Sequence, residues 1–373
     1  MSVYYRTLVL AELGVEVDLL TYGQGEDVDI AGVRTVRIPT FRLLGTVPVG
    51  PSLVKAFLDL VLAAWAVALL ARNRYSFVHA HEESVFICRI LKPLFGFKLT
   101  YDMHSSLPQQ LTNFDFTRSR LLIGLFDRLE SSCLRIADAV ITISPALADY
   151  ACERMPDTGR HFLIENSIFE EVRLKRPRPH RDTAKGWEQK IPAGRPIVAY
   201  AGTFESYQGL ELLIEAFAVL RRTRPDAFLL MIGGSPAQVE SYRDLAQQHG
   251  LSGEALFTGT LPQPVARRLL ERADVHTSPR RTGTNTPLKL YAQLASGKPL
   301  VATRIPAHTQ VLTEEISFLA EPDPSAFAEA MLEVMNSEDR CRQVVAAARI
   351  FYDSRYSRKA YARKVRALLE VLV

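Results

Sequence analysis

Two stretches of this chain combine glycine, hydroxyl and basic side chains in a way that suits a phosphate. Residues 278–289 read Ser-Pro-Arg-Arg-Thr-Gly-Thr-Asn-Thr-Pro-Leu-Lys. Asn285 or Thr286 would cap a helix there and Pro287 would be its first residue. Lys289 then falls in the first turn, with Arg280 and Arg281 upstream. A cation at that place opposes the helix dipole unless an anion such as a diphosphate joins it. A capped helix with solvated basic neighbours is the competing reading. Residues 202–209 open on Gly202-Thr203 and close on Gln208-Gly209. Glycines at both ends of a strand-to-helix turn let backbone N–H groups approach a phosphate, although glycine at such a turn is often only a steric solution.

The first half offers histidines instead. His104 follows an apolar run, 98–101, where a parallel sheet would present it to a ligand. A lone histidine is usually structural, so its placement carries the functional reading, an acid–base group. Asp102 and Ser105 are neighbours that could orient it or bind a ligand's hydroxyls. His79 and His81 are expected on opposite sides of their strand, which argues against a joint metal site. Asp27-Val28-Asp29 has the spacing of a metal-binding carboxylate pair, but its polar surroundings read as solvated surface. No metal and no cofactor are expected.

These residues need a scaffold, and alternating periodicities supply one. Short β-branched or apolar runs at 16–21, 77–80, 98–101 and 139–143 read as buried parallel strands, separated by helix-like segments such as 119–136. From 170 the composition turns to Arg, Lys and Pro, with Pro177, Pro179 and Pro192 forbidding a continuous helix. Alternation then resumes with strands at 197–201, 227–232, 255–258, 275–277 and 299–302 and helices at 209–222 and 237–249. The expected organisation is α/β: an N-terminal doubly wound domain over 1–169, a linker over 170–195, a second doubly wound domain over 196–355, and a terminal segment, 356–373, whose helix crosses back. The N-terminal domain begins with a helix, 4–13, where its class begins with a strand and a Gly-rich turn. Absence of that strand, from truncation or a misassigned start, is expected to leave a flaw in the sheet.

Composition narrows the class. The chain has 373 residues, 47% hydrophobic and 23% charged, which suits two folded domains and excludes disorder. A net charge of +4 gives no electrostatic reason to expect nucleic acid. Cys88, Cys133, Cys152 and Cys341 form no Cys-x-x-Cys pair and fit a reducing cytoplasm. The segment 53–71 is unbroken in its apolar character only over 60–71, with Lys55 and Asp59 interrupting what precedes. It falls short of the roughly 20 apolar residues of a bilayer span and reads as a buried helix, with membrane-surface contact as the minority reading.

The stretch Ala295-Ser296-Gly297-Lys298-Pro299-Leu300-Val301-Ala302-Thr303 resembles a signature of the family-4 retaining glycosyltransferases. Phe257-Thr258-Gly259, Ala273-Asp274-Val275 and the 202–209 loop fall where that family has its own segments. Val78-His79-Ala80-His81, Tyr101-Asp102-Met103-His104 and Leu163-Ile164-Glu165-Asn166 resemble its N-domain motifs. The resemblance implies a GT-B fold, two doubly wound Rossmann-like domains facing a cleft. It implies a nucleotide-diphosphate sugar as donor, held by Gly202, Thr203, Gln208, Gly209, Arg280, Thr284, Asn285, Thr286 and Lys289, with His104 near the reacting carbon and Asp102 and Ser105 toward the acceptor. The acceptor could be a saccharide, a lipid-linked molecule or a small molecule; nucleic acid is not among the partners, and peripheral contact with the inner face of the membrane stays open. Departures are specific. The family's loop Arg and Lys fall on Thr203 and Gln208, and its glutamate pair on Thr284 and Ala292. They suggest a rewired donor site in which Arg280 and Lys289 replace lost charge. Transfer of a sugar with retention is the first reading, a catalytically inactive GT-B partner protein the second, and a GT-B sugar-nucleotide epimerase the third.

Overall fold

The computed structural model describes residues 2–40, 53–108, 120–166, 172–175, 184–283 and 285–373. It divides into two compact units: Met1–Asn166 with Val172–Pro177 and Arg358–Val373, and Ser167–Glu171 with Arg178–Ser357. The last helix of the chain thus belongs with the first unit.

In the first unit the strands are β1 (Val17–Thr21), β2 (Val33–Arg37), β3 (Phe77–His81), β4 (Lys98–Met103), β5 (Ala139–Thr142) and β6 (His161–Leu163). They form two separate parallel sheets, β1-β2 and β3-β4-β5-β6. All of β5 and all of β4 beyond Lys98 are buried, as a parallel sheet covered on both faces requires. Leu99, Tyr101 and Met103 pack there with Val85, Cys88 and Leu91 of helix Ser84–Phe95 and Cys133 and Leu134 of helix Arg120–Ile136. By contrast β1 is half-buried throughout, and only Ala80 of β3 is fully buried. Among the described residues, β1 and β3 are each paired along one edge only. Helix Arg358–Leu372 buries Tyr361, Val365 and Leu368. Its Lys364 ammonium meets the Glu165 carboxylate, and its Arg358 meets Glu12 of the first helix, Ser2–Glu12.

One expectation is corrected here. Helix Leu53–Arg72 is not a buried core helix. Leu58 is buried, and Ala66 and Leu70 pack toward the β3–β6 core, but Phe57, Leu60, Trp65 and Val67 are exposed, Leu60 at 72%. The helix is apolar on nearly every side, so covering the core with one stripe leaves the others uncovered. By length and composition its span Val54–Arg72 could cross a membrane.

The second unit has one parallel sheet of β7 (Ile197–Ala201), β8 (Phe228–Ile232), β9 (Ala255–Phe257), β10 (Val275–Ser278), β11 (Leu300–Thr303) and β12 (Phe318–Ala320). The order is β12-β11-β10-β7-β8-β9. All five residues of β8 are buried, matching the unbroken apolar run Phe-Leu-Leu-Met-Ile. Helix Leu210–Thr223 turns Leu210, Leu213, Ile214, Phe217 and Leu220 inward, the helical period, where they share a core with Phe327, Met331 and Val334 of helix Pro324–Asn336. Strand order reverses direction between β10 and β7, the place where open α/β sheets bind ligands beyond the strands' carboxyl ends.

Candidate active site

Both phosphate-suited stretches of the sequence leave that switch point. The 202–209 loop follows β7 and the 279–288 loop follows β10, and the two strands are hydrogen-bonded neighbours. Gly209 is what lets the loops touch. Its φ is +71°, and a Cβ there would lie 2.1 Å from the Pro279 carbonyl oxygen. Gly233, at the end of β8, is held as tightly: a Cβ would lie 1.8 Å from the carbonyl oxygen of Gly202.

Three of the expected donor residues meet in one chain of hydrogen bonds. Lys289 Nζ donates to Gln208 Oε1 at 3.4 Å, and Gln208 Nε2 donates to Thr203 Oγ1 at 3.4 Å. The residue Lys289 is half-buried, yet its ammonium sits 3.9 Å above the centre of the Tyr200 ring. Burial, then the neighbouring Arg280, pulls the Lys289 ammonium down to about 7. The Arg280 guanidinium lies 5.0 Å from the Tyr207 ring centre and its Nη1 donates to the Asn285 carbonyl at 3.0 Å, and burial lowers its pKa too. Two cations therefore share a recess in which aromatic rings and an amide, rather than carboxylates, are their described neighbours. That arrangement suits an anion.

The helix after the loop differs from its expected form. It spans Lys289–Ala295, with Leu288 at the cap and no side-chain capping bond. Pro287 therefore precedes the helix instead of opening it, and neither Asn285 nor Thr286 caps it. The turn is drawn elsewhere: the Leu290 N–H donates to the Pro287 carbonyl at 3.0 Å and Arg280 takes the Asn285 carbonyl. Thr284 lies outside the described residues. Ala292 is exposed.

Sequence reasoning passed over Tyr200, Tyr207 and a buried histidine beneath the loop. His308 is 0% exposed. Its Nδ1–H donates to the Thr303 carbonyl at 2.8 Å, so Nε2 accepts from Ser278 Oγ at 3.0 Å. Burial, with Lys289 and Arg280 adding to it, lowers this imidazole to about 4, so it is neutral at ordinary pH. Thr303 Oγ1 also donates to the Arg280 carbonyl. His308 thus ties β10 to β11 and fixes the root of the cationic loop. No local pattern marks it in sequence, because its partners come from two different strands.

The first unit contains a second cluster. Asp102 is 2% exposed at the end of β4, pairing in register with His81 of β3. His79 Nε2 donates to Asp102 Oδ2 at 2.9 Å, His81 Nδ1 is 3.7 Å from the same oxygen, and His104 Nε2 is 3.2 Å from Oδ1. Arg6 Nη2 approaches Oδ1 at 3.7 Å. Burial alone would raise the carboxyl, but Arg6 and the histidines outweigh it and hold it well below the usual range. Here the expectation about His79 and His81 is corrected. Residues two apart on a strand share a face, so both reach Asp102. Asp102 is buried, its carboxylate facing these histidines and Arg6. Asn166 Nδ2 lies 3.4 Å from His104 Nδ1. Ser105 lines a small pocket with Glu82, Glu83, Phe86, Tyr101 and Leu107. Asp27 pairs with Arg37 at 3.0 Å on the surface.

Residues 7–167 match the family model described as a glycosyl transferase 4-like domain, and residues 182–351 match glycosyl transferases group 1. A D-inositol 3-phosphate glycosyltransferase of Corynebacterium glutamicum is 26% identical, over 91% of this chain and 84% of its own length. Sucrose-phosphate synthase from Thermosynechococcus elongatus shares the fold with a TM-score of 0.74 at 22% identity, covering 99% of this chain and 92% of that one. Anabaena HepE, solved with UDP and glucose, has a TM-score of 0.69 at 13% identity, covering 99% and 96%. With family models matching both units in sequence, and a parallel sheet whose switch point gathers the cations, the chain belongs to the family-4 glycosyltransferases and is a GT-B enzyme that transfers sugar.

Proposed function

We propose that the donor is a nucleoside-diphosphate sugar whose diphosphate binds at the β7–β10 switch point of the second unit. The observation that carries this reading is the hydrogen-bonded chain Lys289–Gln208–Thr203 beside Arg280, in a recess without a described carboxylate partner. Diphosphate oxygens would take the Lys289 ammonium and the backbone N–H groups after Gly202, charge-assisted bonds of the stronger kind. Gln208 then occupies the place of a lost loop cation and steers Lys289. Stabilising negative charge on the departing diphosphate is the main electrostatic task in such a transfer. In this reading the leaving phosphate accepts the acceptor hydroxyl's proton, the sugar is transferred with retention, and the protein supplies position and charge without a required metal. His104 keeps the role its resemblance implies, a contact to the transferred sugar, with Asp102 and Asn166 fixing its ring.

The name of the Corynebacterium relative puts phosphorylated polyols first among acceptors to try. The four unpaired cysteines, two of them buried, fit a cytoplasmic enzyme, and the uncovered apolar side of helix Leu53–Arg72 supports work at the inner face of a membrane on a lipid-linked or membrane-near acceptor. Calorimetric titration with UDP, GDP and ADP, followed by transfer assays with the matching sugar nucleotides, tests the proposal. Absence of binding by all three would overturn it.

A further inference from the structure

We propose that His81, Asp102 and His104 form a binding site for one transition-metal ion of the zinc class, and that the bound ion holds His104 and so restrains transfer. The regulatory half rests on the role given to His104 above; the binding half does not.

The three side chains come from the ends of neighbouring strands, with His81 opposite Asp102 in the β3–β4 register and His104 just beyond. One nitrogen from each histidine and one carboxylate oxygen lie within 4.8 Å of one another. His81 Nδ1 lies 3.7 Å from Asp102 Oδ2 and His104 Nε2 lies 3.2 Å from Oδ1, so the two imidazoles approach the same carboxylate, one at each oxygen. Four ligands at zinc bond lengths of about 2.0–2.1 Å sit roughly 3.3 Å apart in a tetrahedron. The first contact is too long for a hydrogen bond, and the second, by which Asp102 orients His104, falls short of hydrogen-bond geometry. His81 Nδ1, His104 Nε2 and Asp102 Oδ1 are all buried and none completes a hydrogen bond, so three atoms able to ligate a metal converge there.

The surroundings match those of a metal site. His79 Nε2 donates to Asp102 Oδ2 at 2.9 Å, as an outer partner that orients a ligating carboxylate. Asn166 faces His104 Nδ1 at 3.4 Å, and its own Oδ1 is buried and unpartnered. Rotating that amide lets Oδ1 accept from Nδ1–H, which leaves the Nε2 lone pair for the ion. The side chain of His81 is 35% exposed, so a fourth position opens to water. Arg6, 3.7 Å from Asp102 Oδ1, opposes any cation. The two imidazoles must therefore supply the affinity, which favours ions that bind nitrogen strongly over Mg²⁺, which prefers an all-oxygen shell.

The test is to titrate the metal-free full chain with Co²⁺ and follow visible absorption. One equivalent with the intense bands of tetrahedral Co²⁺, displaced by Zn²⁺ and unaffected by excess Mg²⁺, is expected. His81→Ala and His81→Gln should each weaken Co²⁺ binding at least tenfold while UDP affinity in chelator stays unchanged. The Gln variant keeps the side chain's bulk if Ala unfolds the strand end. Absence of the bands, or equal Co²⁺ binding by both variants, overturns the site. Zn²⁺ should also slow transfer by the unmodified chain; full rate with Zn²⁺ shown to be bound overturns the restraint. Loss of activity in His104→Ala is measured separately and bears only on the sugar-contact role.

Discussion

Lys289 makes nucleotide binding sensitive to pH in a direction fixed by its surroundings. In the free protein its ammonium is depressed to about 7, first by burial and then by Arg280. Above that pH the side chain is largely neutral. A bound diphosphate supplies the missing countercharge and restores the proton, so binding takes up about half a proton per site at pH 7 and close to one at pH 8–9. The phosphates do not confound this, since their last ionisation lies near 6. With a free value of about 7 and a bound value near the ordinary Lys figure of about 10.4, Kd for UDP should rise at most about 50-fold from pH 7 to pH 9, about 2.3 kcal/mol. Calorimetry at pH 8.5 in two non-phosphate buffers of different ionisation enthalpy reads the proton uptake directly. Lys289→Met should flatten the profile and weaken binding at pH 7 by about 1.5–3 kcal/mol, the worth of a charge-assisted bond. A flat profile in the unmodified protein, or a slope that survives Lys289→Met, would refute the placement of the diphosphate. The same depression has a stability consequence. The unfolded chain binds the proton more readily, so ligand-free stability rises with pH from about 7 toward 10.5 and falls as pH returns to about 7.

His104→Ala should lower kcat roughly 10²-fold with little change in nucleotide affinity, because it removes a group assigned to the transition state and not to the diphosphate; rate, affinity and Tm on one preparation check it. Gly209→Ala should cost at least about 1–3 kcal/mol in denaturant unfolding, since φ is +71° and the added Cβ meets the Pro279 oxygen. Exchanging Leu60 and Trp65 together for Ser should abolish sedimentation with anionic vesicles and leave Tm within a few degrees, as both are exposed. Backbone amides of β1 should exchange faster than those of β4 and β5, because β1 is half-buried and, among the described residues, paired on one side only; equal protection in hydrogen exchange would count against an open edge there.

The sequence alone determined what depends on local pattern. Unbroken apolar runs such as Phe-Leu-Leu-Met-Ile require a strand covered on both faces, and the inward stripe from Leu210 to Leu220 requires a helix beside it. Gly209 and the run of Arg280, Arg281 and Lys289 marked the phosphate loops by residue type. Tertiary structure decided everything that depends on which strands become neighbours. Only the pairing of β10 with β7 brings Lys289 to Gln208 and Thr203, and only β3 beside β4 converts scattered histidines into a ring around Asp102. The depressed pKa values of Lys289 and His308 follow from burial that no local spacing encodes. The exposure of helix Leu53–Arg72 was equally hidden. A helix apolar on every side reads the same whether neighbours cover it or not, and coverage is set by packing at a distance in the chain.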